Sequence, residues 1–288
     1  MSAVQERRPV ADLALAAARA RRFVLRMLEA SPAGHVGGAL SAIDLVTALY
    51  TRALRVDPDD PRAPGRDRFL LSAGHKALAQ YAVLALTGFF PPDLLDTYGA
   101  TGSALGGHPD MAKLPGIEAN TGALGHGLPL AVGMALGLRR SQSGSRVVVL
   151  LGDGELAEGS NWEGAAVASH HRLSNLVAIV DVNGLQIGGP TAQVMGMEPI
   201  AEKFRAFGWV VTEVDGHDLD GILDVLDRLP FAPDAPSAII ATTCKGKGIT
   251  AIEGTVGSHY WKPSAAELAD AVREADAAVT SLEREVAS

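Results

Sequence analysis

Residues 147–189, VVVLLGDGELAEGSNWEGAAVASHHRLSNLVAIVDVNGLQIGG, decide how this chain folds. An apolar run, VVVLL (147 to 151), opens into Gly152, Asp153 and Gly154, and a second apolar run, thirty residues past Asp153, ends at Asn183. The intervening stretch near 161–172 reads as a helix. Strand, polar loop, helix, strand and polar loop make a βαβ unit, in which ligands meet the C-terminal ends of the parallel strands. The helix N-terminus favours an anion, and a glycine on each side of Asp153 lets the backbone approach a phosphate closely. Asp153 and Asn183 offer a carboxylate and an amide as hard oxygen ligands. GDG and Asn-Gly both occur in ordinary turns. Their spacing around a helix is what points to a metal and diphosphate site.

Outward from this unit the pattern continues. Short β-rich runs at 146–151, 176–182, 209–214 and 237–242 alternate with helical segments near 161–172, 199–207 and 218–228. This predicts an α/β fold, a doubly wound parallel sheet with helices on both faces. Upstream, residues from about Asp12 to Glu29 keep an apolar stripe beside Arg19, Arg21 and Arg22, and a second helix is expected after Ser41, with Asp44 at capping-box spacing. An extended FLL (69–71) precedes a helix over about Lys76 to Leu86. From Gly99 to Gly127 the chain is glycine-rich and aperiodic, too long for a plain connection, so a functional loop is expected. A last helix starts at the capping box Ser264 to Glu267. No repeat or linker interrupts the chain, which reads as one domain over 1–288.

With 288 residues, 47% hydrophobic and 20% charged, the chain can bury a large core. Its net charge of −8 argues against non-specific binding to nucleic acid or anionic membranes. The N-terminus, MSAVQERRPV, lacks the apolar core of a signal peptide, and no run reaches membrane-spanning length. Cys244 is the only cysteine, which excludes an intrachain disulfide and fits a reducing cytoplasm. It reads most simply as the buried end of a strand.

The stretch 152–189 resembles the thiamine diphosphate (ThDP) binding motif in the wording of the transketolase family. Four further segments are similar to that family's motifs: AGHVGGALSAIDL (33–45), LLSAGHKALAQYAVL (70–84), GGHPD (106–110) and GTVGSH (254–259). The resemblance implies a ThDP-binding (PP-type) fold in which Asp153, Asn183 and the carbonyl of Leu185 bind Mg2+ or Ca2+. Gly152, Gly154, Gly122, Leu124, His75 and His259 are implied as cofactor contacts, and so is Glu158. His35, His108 and His259 resemble the histidines around the sugar hydroxyls, His108 at the donor C1 hydroxyl and the other two moving a hydroxyl proton. His75 resembles the one near the diphosphate and thiazolium. Imidazole suits this work because it titrates near neutrality and can both give and take a proton.

Other residues carry weaker signals. His126 sits in a slot often held by Gln or His, with a smaller implied role. Glu158 and Glu163 resemble members of a carboxylate network linking two active sites across a dimer interface; as plain residues they also suit a solvated helix start. His170 and His171 lie at the far end of that helix, where cations are favourable and a structural role suffices. Lys245 and Lys247, in CKGKG, resemble a loop at the diphosphate edge. Val36 and Lys76 depart from the pattern: many relatives have Pro after the first histidine, and a small residue is frequent after the second.

The implied activity is transfer of a two-carbon ketol unit from a ketose, free or phosphorylated, to an aldose. The resemblance covers only the N-terminal, diphosphate-binding part of a full-length transketolase. No segment resembles the pyrimidine-binding domain, whose glutamate protonates the cofactor's pyrimidine, or the C-terminal domain. A partner chain, the C-terminal subunit, is therefore implied, in an α2β2 heterotetramer whose binding face would include the 99–127 loop and the helix after Gly154. The alternatives are a deoxyxylulose-phosphate synthase fragment, the E1 α chain of a 2-oxoacid dehydrogenase, and a non-catalytic scaffold. The first has a longer insertion after the asparagine loop, and the second an HGHS-like loop that is not found here. A scaffold need not keep every metal-site and histidine position.

Overall fold

The computed structural model describes residues 10–287; the sequence reading of residues 1–9 lies outside them. Five strands, β1 (Arg68–Leu71), β2 (Val147–Gly152), β3 (Leu176–Val182), β6 (Val210–Asp215) and β7 (Ser237–Thr242), form one sheet. All of its pairings are parallel, in the order β1-β2-β3-β7-β6. A small hairpin, β4 (Leu185–Gln186) with β5 (Gly189–Pro190), follows β3.

Alternation along the strands explains why helices cover both faces. Val148, Leu150, Val177 and Ile179 point into a core shared with α1 (Val10–Ala30), α2 (Val36–Ala48), α3 (Ala77–Leu86), α8 (Leu219–Asp227) and α9 (Ala265–Ala287). Val147, Val149, Leu151, Ala178 and Val180 point the other way, against α4 (Gly127–Arg140), α5 (Gly159–His170) and α7 (Ile200–Ala206). Each such Val or Leu contributes roughly 1.5–3 kcal/mol by burial, so a one-residue slip in register would be costly on both faces. A single turn, α6 (Thr191–Val194), follows the hairpin. No helix among the described residues is long and apolar enough to cross a membrane.

The doubly wound sheet and strand positions agree with the sequence reading to within a residue. Three details differ. Helix α2 begins at Val36, so Ser41 and Asp44 lie inside it. Their capping-box spacing is coincidental: Ser41 Oγ bonds Gly38 O at 3.0 Å and Asp181, and Asp44 pairs with Arg21 and His217. Helix α4 falls where the sequence shows no helical pattern, because Gly127, Gly133, Gly137 and Pro129 weaken it. Pro129 falls in the first turn, where a missing N–H leaves no helical bond unmade. Cys244 lies past the end of β7 and is half-buried rather than a buried strand terminus. The capping box at Ser264 does form: its N–H and Oγ each lie 2.7 Å from Glu267 Oε2.

Candidate active site

Gly152 and Asp181 are direct neighbours in the β2–β3 register, so the two polar loops leave adjacent strands at the same level. Asp153 is buried and its carboxylate accepts the N–H groups of Gly154 at 2.8 Å and Gly184 at 2.7 Å. Those bonds lock the loop after β2 to the loop after β3. Asn183 Oδ1 accepts the Leu185 N–H at 3.1 Å, and its Nδ2 faces Ser41 Oγ and Asp181 Oδ2 at 3.3 and 3.4 Å. Lys245 Nζ donates to the Leu185 carbonyl at 2.7 Å; a carbonyl has two lone pairs, so one is left for a cation.

This donor set fits a divalent metal with diphosphate. Carboxylate, amide and carbonyl oxygens are the hard ligands that Mg2+ and Ca2+ take. Among the described residues no group of three or more His, Cys, Asp or Glu could hold a metal ion. A metal held by these three protein oxygens would keep positions for phosphate oxygens and water.

The histidines arrive from four separate loops. His35 occupies the N-cap position of α2, and its loop is tied to the loop of His259 by a two-residue bridge, Gly34 N–H to Trp261 O at 3.2 Å and Trp261 N–H to Gly34 O at 3.0 Å. Gly37 makes that approach possible, since a β-carbon there would fall 2.7 Å from the Ser258 carbonyl oxygen. His75 lies in the short turn Gly74–Lys76 after β1. His108 stands in the 99–127 loop, whose backbone is held by Tyr81 Oη donating to the His108 carbonyl at 2.8 Å. The ring of His35 lies 5.5, 6.1 and 5.4 Å from those of His75, His108 and His259, and His75 stacks on His259 at 5.5 Å.

All four rings line one cavity of about 280 Å³, with Gly122, Leu124, Gly152, Asp153, Gly154, Asn183 and Leu185. Its electrostatics follow from burial beside cations. Burial, then Lys76, holds the His75 ring neutral, down to about 2. Burial, then Lys245, takes His259 down to about 4. His35 is lowered by burial and then by His108 and Lys245. Burial, then Lys76, brings Lys245 down to about 8. Asp153 is pushed up by burial and then by the neighbouring Asp181 charge. The imidazoles of His35, His75 and His259, held toward the neutral form that can both donate and accept, thus face a space with ammonium groups on one side.

Two expected residues stand elsewhere. Glu158 and His126 are exposed and do not line the cavity. Glu158 occupies the N-cap position of α5 without a side-chain cap bond, with Glu163 in the following turn and also exposed, and His126 bonds its own loop through Leu124 O at 3.0 Å. His170 and His171 pair with each other at 4.9 Å at the far end of α5. Conversely, Gly38, Glu155, Gln186 and Ile187 line the cavity; they lie inside the quoted motif stretches, but the sequence reading assigns them no role. Glu155 is buried and collects the N–H groups of Gly125 and Gly152 and the hydroxyl of Ser72. Its place inside the GDGE turn is the one signal of it that the sequence holds. Lys76, a departure from the family pattern, also lines the cavity.

A family model described as the thiamine diphosphate binding domain of transketolase matches residues 13–277. An apulose-4-phosphate transketolase subunit of Phocaeicola vulgatus is 41% identical over 276 residues, 96% of this chain and 98% of that protein. The 6-deoxy-6-sulfo-D-fructose transketolase subunit SqwG of a Clostridium species is 42% identical over 255 residues, 86% of this chain and 93% of that one. The Pichia stipitis transketolase structure with sedoheptulose-7-phosphate superposes with a TM-score of 0.85 at 28% identity, covering 95% of this chain and 45% of that chain. The chain thus spans nearly the whole of the subunit relatives and less than half of that transketolase.

Proposed function

The chain belongs to the transketolase family, and from that premise we propose that it is the diphosphate-binding subunit of a two-chain transketolase. Bound ThDP supplies the carbon that takes a two-carbon ketol unit from a ketose and hands it to an aldose. The protein's work is to hold, orient and move protons. Asp153, Asn183 and the Leu185 carbonyl hold Mg2+ or Ca2+, and Gly152 and Gly154 bring backbone to the diphosphate. Gly122 and Leu124 support the pyrimidine ring. His108 orients the donor's C1 hydroxyl, His35 and His259 accept and return the proton of the hydroxyl beside the carbonyl, and His75 lies against the cofactor.

The observation that carries this reading is the meeting of the four histidines with the Asp153, Asn183 and Leu185 oxygens in one cavity. Near-complete coverage of two proteins named as transketolase subunits supports a two-chain enzyme. Residues 1–288 form one PP-type unit in this reading. The pyrimidine-binding and C-terminal domains reside on a partner, in an α2β2 assembly in the cytoplasm. Exposed Glu158 and Glu163, at the start of α5, suit the face between subunits. Because these relatives are named for ketoses bearing phosphate or sulfonate, an anionic ketose is the proposed donor.

Calorimetric titration of ThDP with Mg2+ tests the reading, into the chain alone and into its mixture with the partner subunit. Tight binding in the mixture, with ketol transfer from a ketose phosphate, is expected. Failure of both mixture and isolated chain to bind would overturn it.

A further inference from the structure

Lys76 is buried to 2% exposure, and its ammonium lies 2.5 Å from Oδ2 of the fully buried Asp181. Burial of such a pair is costly unless each group is well bonded. Asp181 is: it also accepts the hydroxyls of Ser41 and Thr243. Lys76 is not. An ammonium has three N–H donors, and Asp181 is the only acceptor it meets among the described residues. Buried donors without partners are rare in folded proteins.

Their surroundings say what would satisfy them. Lys76 lines the cavity beside Gly38, Gly152 and Asp153, and a β-carbon on Gly152 would stand 3.4 Å from its Nζ. The ammonium thus faces the glycine turn that also approaches the diphosphate. Charge points the same way. Asp153, Glu155 and Asp181 are buried here, opposed by Lys76 and Lys245. Without Lys76, a diphosphate would enter a bay with a marked excess of carboxylate, which like-charge repulsion opposes.

We propose that Lys76 is a built-in cationic ligand for the cofactor's diphosphate: Asp181 fixes the ammonium, and its remaining N–H groups bond phosphate oxygens beside the metal. This deepens the ThDP reading and rests on it. One consequence is partial independence from the divalent ion, since part of the anion's charge is met by a group that never leaves.

The experiment is calorimetric titration of the full chain with inorganic diphosphate, in Mg2+ and in EDTA. Wild type is expected to bind in both, more weakly in EDTA. The double variant Lys76→Met, Asp181→Asn removes the ammonium without leaving an unpaired buried carboxylate and keeps the net charge of the bay. It is expected to bind about ten- to a hundredfold more weakly in Mg2+, the value of one or more charge-assisted hydrogen bonds, and to lose binding in EDTA. A double variant that binds as wild type does in both conditions would make Lys76 merely the counter-ion of Asp181 and overturn the inference. So would a wild type that binds in Mg2+ but not at all in EDTA, however the variant folds. Absence of wild-type binding in Mg2+ would overturn the inference, whereas the ThDP reading stands or falls separately with the titration of the mixture with the partner subunit.

Discussion

Lys245 points its ammonium at Nδ1 of His259, 3.0 Å away. An ammonium only donates, so Nδ1 must accept, and a neutral His259 carries its proton on Nε2. Burial, followed by the Lys245 charge, lowers the His259 pKa to about 4 from its ordinary 6.5. The sign is that of a disfavoured cation: the neutral ring persists as pH falls, and protonates only near that lower value. Nitrogen-15 spectra are expected to show a single neutral Nε2–H tautomer between roughly pH 5 and pH 7. In Lys245→Met the ring should titrate at higher pH and sample both tautomers. A wild-type ring titrating at its ordinary value would contradict the pairing.

Asp153 and His108 separate binding from turnover. Asp153 joins the two strand-end loops through Gly154 and Gly184, and Asp153→Ala is expected to abolish metal-dependent ThDP binding. His108 lines the same cavity from a different loop. His108→Ala should keep cofactor affinity within severalfold and reduce turnover by about a hundredfold or more. Calorimetry and a ketol-transfer assay on the assembled enzyme read the two effects, and normal ThDP affinity in Asp153→Ala would remove the metal assignment.

Legibility in the sequence tracks the locality of each signal. Strands β2 and β3 announce themselves by unbroken apolar runs, and the loops after them by their polar ends, so Asp153 and Asn183 are readable at once. Helix α4 is hidden by its own glycines and Pro129, since its fit comes from packing against β2 and α5 rather than from propensity. Ser41 misleads because its hydroxyl bonds Asp181, 140 residues away, where the sequence suggests a local cap. Lys76 and Asp181 are 105 residues apart, and no periodicity reveals such a pair. The histidines stand out because their glycine-marked loops resemble family motifs. Their mutual distances come only from the fold.

Glu155 ties three loops together, accepting Gly125 N–H at 3.0 Å, Gly152 N–H at 3.1 Å and the Ser72 hydroxyl. A glutamine there would turn an amide toward one of these donors. Glu155→Gln is therefore expected to lose about 1–3 kcal/mol at neutral pH and to weaken cofactor binding through the 121–125 loop. Burial raises the Glu155 pKa above its ordinary 4.5. The native state thus binds more protons than the unfolded chain just above that value, and wild-type stability should decline as pH rises through this window. The decline should be absent in the variant, and urea unfolding at a series of pH values checks both points.

Asp67 provides the opposite slope. It is fully buried just before β1, with Arg55 and Arg146 donating from backbone and side chain at 2.8–3.0 Å. Burial alone would raise its pKa, but these two arginines outweigh it and hold the carboxyl below its ordinary 3.8. Its contribution to stability is complete above that value and is lost as pH falls through the lower folded pKa. Asp67→Asn is expected to be about 2 kcal/mol less stable at pH 7. The gap between variant and wild type should close in strong acid, and a gap unchanged there would refute the ion-pair account.

Gly122 sets the position of His108. Its φ of +139° is a conformation that side-chain-bearing residues avoid, and a β-carbon would fall 2.6 Å from His108 Cδ2. Gly122→Ala must move either the imidazole or the loop proposed to face the cofactor. Because the 121–125 loop is already tied to Glu155 through Gly125, the imidazole has the easier path. Turnover is expected to fall at least about tenfold, with stability reduced by about 1–3 kcal/mol from backbone strain. Kinetics beside thermal unfolding distinguish this from simple loss of fold: an active variant with an undisturbed His108 would show that the loop, not the ring, gives way.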